Sequence, residues 1–122
     1  MANKSNMPRL IAEVSQNVAD EMQQKSDKTP YDVAKIASRE GRFNDSNNIL
    51  MFLLSLESQS TSIWGKIGDN YRDMEDYGFA ALFYLEADTV RILKGSEDTY
   101  FQDEYRACVN ELKKAYKLKK QL

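Results

Sequence analysis

The chain has 122 residues, 42% hydrophobic and 30% charged, with 17 Lys and Arg against 19 Asp and Glu and no histidine. That length suits one globular domain with a real core, and the apolar share excludes a disordered chain. A net charge of −2 gives no whole-molecule attraction to nucleic acid or an anionic membrane, and the missing His removes the commonest general acid–base group and metal ligand.

In chain order, the opening MANKSNMPRL lacks the apolar run of about 7–15 residues of a signal peptide. A first helix is expected over residues 8–25, with Pro8 in its first turn and Ile11, Val14, Val18 and Met22 at three- and four-residue steps. Residues 23–28 read as a connector. Thr29-Pro30-Tyr31-Asp32 is a helix start: Thr29 caps, Pro30 fits the first helical position, and Asp32 suits the positive helix end. Val33, Ile36 and Ala37 form one face, and Gly41 is a stop.

A third helix is expected over residues 44–57, carrying the run Ile49-Leu-Met-Phe-Leu-Leu54. Periodicity alone also allows a buried strand there, but the helical surroundings and the few β-branched residues decide for helix. Residues 58–62, Ser-Gln-Ser-Thr-Ser, are turn and cap material. A fourth helix carries Trp64 to about Met74, and a fifth runs from Tyr77 to Leu93. Gly95 then punctuates, Ser96 is expected to cap, and Glu97 and Asp98 to fill a first turn. The last helix continues through Tyr100, Phe101, Tyr105, Val109 and Leu112 to a lysine-rich end. The expected class is all-α, with about six helices.

One stretch has a repeat-like spacing. Trp64, Ile67 and Tyr71 share a helix face, Gly68 and Ala80 are small enough for two helices to approach closely, and Tyr84 and Ala87 face back. Shifted by thirty-four residues, Val33, Ala34 and Ala37 stand for Ile67, Gly68 and Tyr71, and Ser46, Leu50 and Leu53 for Ala80, Tyr84 and Ala87. The turn Gly41-Arg-Phe43 overlies Glu75-Asp-Tyr77 without insertion.

On these residues the chain resembles the tetratricopeptide repeat family. The likeness is good over 61–94, weaker over 27–60 and partial over 95–122, where Phe101 and Tyr105 take the places of Ile67 and Tyr71 but Gln102 replaces the small Gly68. Ile92 stands where the family usually has a proline. Residues 8–25 fall in phase with a preceding second helix, with Ala12 and Ala19 at its small positions. The resemblance implies a single domain of antiparallel helix pairs stacked as a short right-handed solenoid, with helix 8–25 and residues 95–122 as caps.

It also implies a concave groove, lined by the first helix of each unit, that binds a partner peptide or helix. By phase the groove positions are Tyr31, Lys35, Ser38 and Arg39; then Gly65, Asp69, Arg72 and Asp73; then Thr99, Asp103 and Arg106; Lys66, between the packing landmarks, joins them. Tyr31 and Gly65 stand where a carboxylate clamp would need polar grips, so that clamp is not expected. Lys35, Arg39, Arg72 and Arg106 suit acidic residues on a ligand.

Other features carry less. The five lysines of 113–120 suit a helix C-terminus and make a poor nucleic-acid signal. Gly65 and Gly68 fit no phosphate loop. Cys108 reads as packing, and no cysteine cluster suggests a metal. The expected protein is a cytoplasmic chaperone or adaptor, without catalytic residues, cofactor, metal, nucleic-acid partner or membrane span. The alternative is a homo-oligomeric structural subunit, a homodimer joined through apolar second helices at Met51, Phe52 and Phe83.

Overall fold

Thr29 and Asp32 exchange hydrogen bonds across the start of the first helix. The Thr29 hydroxyl accepts from the Asp32 N–H at 3.2 Å, and the Asp32 carboxylate accepts from the Thr29 N–H at 3.3 Å. Pro30, with no N–H to satisfy, enters behind this capping box. Hydrogen bonding to its carboxyl from the Thr29 side chain and then the Thr29 N–H, with a smaller effect from Lys35, holds Asp32 below its ordinary pKa. The computed structural model describes residues 28–121; the helix expected over 8–25 lies outside the described residues.

Five helices make up the regular structure of the described residues: α1 (Pro30–Arg39), α2 (Phe43–Leu56), α3 (Thr61–Asp73), α4 (Tyr77–Leu93) and α5 (Tyr100–Lys120). The apolar run 49–54 is helical, within α2. Ser60 caps α3, its hydroxyl accepting from the Ile63 N–H at 3.3 Å, and Asp76 caps α4 through the Phe79 N–H at 3.3 Å.

Three helices end in the same way. After α1, Gly41 N–H bonds to Ser38 O and Arg42 N–H to Ala37 O. After α3, Glu75 bonds to Arg72 and Asp76 to Tyr71; after α4, Gly95 bonds to Ile92 and Ser96 to Arg91. Each is a Schellman motif, in which one residue must take a left-handed backbone conformation. Gly41 and Gly95 do so at φ 78° and 77°, and Glu75 does so at φ 60°.

The last Schellman motif explains a difference from expectation. Ser96 does not cap a helix, and Glu97 and Asp98 are not in a first turn; α5 starts at Tyr100, after Thr99. The Ser96 N–H is committed to closing α4, and its carbonyl accepts from the Arg91 guanidinium at 2.7 Å. Held there, residues 96–99 bridge the two helices. Asp98 accepts from the Tyr100 N–H at 2.9 Å instead.

The chain divides into two compact units between Ser58 and Gln59. In the first, α1 packs on α2, with Val33, Ala34, Ser46 and Leu50 essentially inaccessible. Small side chains let the two backbones close up, and the Ser46 hydroxyl donates to the Ala34 carbonyl at 2.8 Å.

In the second unit α4 packs on both α3 and α5. The residues thirty-four positions on, Ile67, Gly68, Ala80 and Tyr84, are likewise buried. A Cβ on Gly68 would lie 2.9 Å from the Tyr84 ring, so this glycine sets the approach of α4. Gly65 does the same for α5, because a Cβ there would overlap the Phe101 ring.

Ala80, Ala81, Tyr84 and Cys108 form the centre, ringed by Tyr71, Tyr77, Phe101 and Tyr105. Phe83 is not the exposed edge expected of it. Its ring is half-buried, 5.7 Å from Trp64 and 5.5 Å from Tyr71, because these two aromatic side chains of α3 lie against it.

Candidate functional site

Most of the surface of α3 is taken up by packing. Ile63, Gly65, Ile67, Gly68 and Asn70 are buried, leaving a narrow polar stripe of Ser62, Lys66, Asp69 and Asp73 at helical steps of four, three and four. Three of these, Lys66, Asp69 and Asp73, are expected groove residues.

Asp69 anchors a cluster that joins all three helices of the unit. Its carboxylate accepts from the Tyr84 hydroxyl of α4 at 2.5 Å and from the Tyr100 hydroxyl of α5 at 3.2 Å. Arg72, one turn along, reaches the Glu104 carboxylate of α5 at 2.7 Å, Asp73 at 3.3 Å and Asp69 at 3.5 Å. Ionised partners make these stronger than neutral hydrogen bonds.

The titration of the cluster follows from its geometry. Burial, then the Asp69 carboxylate, push the Tyr84 phenol well above its ordinary value. Burial also raises Tyr100, against the opposing pull of Arg72. Burial alone would lower Arg72, but its bonds to Glu104 and Tyr100 prevail and raise it. The guanidinium is therefore a fixed positive charge among three carboxylates.

The expected site residues fare differently. Arg72, read as a grip for an acidic ligand, directs its donors to carboxylates of its own chain. Gly65 is not a groove position: it is buried under Phe101, since the absence of a side chain admits the ring. On α5, Asp103 accepts from the Thr99 hydroxyl at 3.3 Å and Arg106 is exposed.

In the first unit, Lys35 lies 3.6 Å from Asp32 and 5.1 Å above the Tyr31 ring, and Arg39 is exposed in the last turn of α1. Ser38 is buried rather than on a groove face. In the second unit Lys66, Asp69, Arg72 and Asp73 thus lie on α3 and Asp103 and Arg106 on α5; in the first, Tyr31, Lys35 and Arg39 lie on α1.

Sequence reasoning missed the parts played by Tyr84, Tyr100 and Glu104. Tyr100 and Glu104 are one turn apart on α5, so a shared side was legible; that this side meets Arg72 was not. By sequence Tyr84 fits as a packing residue alone, although a buried phenol needs a hydrogen-bond acceptor.

Away from this cluster, Cys108 is buried, and burial followed by the Glu104 charge raises its thiol pKa. Lys113, Lys114, Lys117, Lys119 and Lys120 are exposed; Lys114 pairs with Glu111 at 3.0 Å and Lys120 lies 5.6 Å from the Tyr116 ring. Among the described residues no three His, Cys, Asp or Glu side chains are grouped to hold a metal ion, and no helix is long and apolar enough to cross a membrane. In comparisons with known proteins, no family model, curated protein or solved structure matches the chain.

Proposed function

We propose that this protein is a tetratricopeptide-like binding module, a small chaperone or adaptor that holds a peptide or helix of another protein along the polar faces of its first helices. One observation carries the reading. The two helical hairpins are built on the same frame, thirty-four residues apart: α1 ends at Arg39 and α3 at Asp73, the left-handed residues are Gly41 and Glu75, and the second helices start at Phe43 and Tyr77. That is the period of the family, whose units stack because none buries its apolar face alone.

Stacked in this way, the α3 stripe of Lys66, Asp69 and Asp73 would line the inner side of a right-handed solenoid, next to Asp103 and Arg106 of α5. The Asp69–Arg72–Tyr84–Tyr100–Glu104 cluster would hold the stripe rigid, which lowers the entropic cost of capturing a flexible segment. The charged side chains of these faces suit recognition of a charged partner segment. A lone buried cysteine agrees with a reducing, cytoplasmic setting.

The test is recovery of partners by the native chain and by a Lys66→Glu, Asp73→Lys, Arg106→Glu variant, with helicity checked by circular dichroism. The variant should lose the partner captured by the native chain. Equal recovery of that partner by a variant of unchanged helicity would refute the reading.

A further inference from the structure

Helix α4 is apolar on both sides. Its inner face is buried against α3 and α5, yet Leu82, Leu85, Ile92 and Leu93 on the opposite side are between 46% and 81% exposed, and at their flank Phe79, whose ring stacks on Tyr71 of α3 at 5.3 Å, keeps its other side open. A helix apolar all round is ordinarily a buried one. Of its charged residues, Asp88 and Arg91 are nearly buried and pair with each other at 2.7 Å, so Glu86 is the only exposed charge on α4. Thr89, in the middle of the outer face, turns its hydroxyl back to the Leu85 carbonyl at 2.9 Å. That bond satisfies the hydroxyl within the helix.

We infer that this outer face is a self-association surface, on which a second copy of the chain packs its own α4 antiparallel. Three features select that occupant. Leu82, Leu85, Thr89 and Ile92 follow steps of three, four and three, the seam spacing of paired helices, and the series reads the same in both directions. An antiparallel copy centred near Ala87 therefore sets Leu82 against Ile92 of the other copy, Leu85 against Thr89, and Phe79 beside Leu93, as a twofold interface requires.

The area also fits. Five such side chains leave roughly 500 Å² of apolar surface on one copy, and self-pairing doubles this to the ~1,000 Å² that a specific interface needs. Finally, a charged partner has nothing to pair with on this face except Glu86. The two Glu86 carboxylates lie beside each other at the rim, a small repulsion that gives the arrangement a signature.

Sedimentation equilibrium across a dilution series tests this on the full chain. The native protein should dimerise. Leu82→Asp with Leu85→Asp should raise the dissociation constant by about 100-fold or more, with helicity and Trp64 fluorescence unchanged. Glu86→Gln, which keeps the fold and removes the repulsion, should lower it by about threefold.

A short thiol cross-linker should join a Phe79→Cys chain to a Leu93→Cys chain more readily than either to itself. A native chain that stays monomeric at every concentration overturns the inference, as does a dimer indifferent to the Leu82 and Leu85 changes. Preferential like-with-like cross-linking overturns the antiparallel arrangement. The α3 stripe is a different surface from this one, so the partner-capture experiment remains an independent test of the proposed function.

Discussion

Glu75 holds the left-handed backbone conformation that Gly41 holds thirty-four residues earlier, at φ 60° against 78°. Both residues close a Schellman motif between the helices of a hairpin. Glycine takes this conformation without strain; a residue with a Cβ does so at a cost of about 1 kcal/mol.

Glu75→Gly should therefore stabilise the second unit by up to ~1 kcal/mol, while Gly41→Ala should destabilise the first by a similar amount. Urea unfolding followed by the fluorescence of the single Trp64, which lies in the second unit, reads the first change directly. A Glu75→Gly midpoint at or below the native one would contradict the strain argument.

Gly65 and Gly68 admit aromatic rings that a methyl group would strike. Gly65→Ala should cost about 1–3 kcal/mol, and Phe101→Leu in the same chain should recover part of it, because the three atoms nearest the added methyl all belong to that ring. Additive losses in the double variant, measured by the same urea titration, would show that the two do not meet.

The Tyr84 and Tyr100 phenols give the second unit a pH dependence of definite sign. Their folded-state pKa values are raised by burial and by neighbouring carboxylates, so the folded state holds their protons more tightly than the unfolded chain, whose tyrosines titrate near ~10. The stabilisation is complete below that pH and is lost as pH rises above it. Urea midpoints between pH 9 and 12 should fall, and Tyr84→Phe should flatten the fall, leaving the parts owed to Tyr100 and to the buried Cys108 thiol, whose pKa is raised in the same sense. At neutral pH the same substitution should cost about 1.5–3 kcal/mol for the lost bond to the Asp69 carboxylate.

Cys108 should be nearly inert in the native protein. It is buried against Ala80, Ala81 and Tyr84, and burial raises its thiol pKa, so both access and thiolate fraction are low at neutral pH. Ellman's reagent should react slowly with the native chain and at once in urea. Fast native labelling would mean that α5 detaches from α4.

Much of the fold was legible in the sequence, because helix limits are local. Thr29, Pro30 and Asp32 specify the start of α1, Gly41 its stop, and Tyr77 to Leu93 emerges as a helix with the limits expected. Where a limit depends on a neighbour, local reading fails: the Ser96 hydroxyl does accept from the Asp98 N–H at 3.3 Å, but its N–H and carbonyl are tied to Arg91 at the close of α4, and α5 starts only at Tyr100.

For the candidate site the division is sharper. The family phase, read from the sequence, picks out Gly65, Lys66, Asp69, Arg72 and Asp73 of α3, and Lys66, Asp69 and Asp73 do share one polar face. Helix packing is what sets Arg72 against Glu104 on α5, converges Tyr84 and Tyr100 on Asp69, and puts Gly65 beneath Phe101. It also decided that Phe83 is sheltered by Trp64 and Tyr71 while Leu82 and Leu85 face outward. The physical reason is that periodicity records which residues share a side of a helix, whereas hydrogen bonds and ring contacts between helices depend on the distance and rotation at which the helices pack.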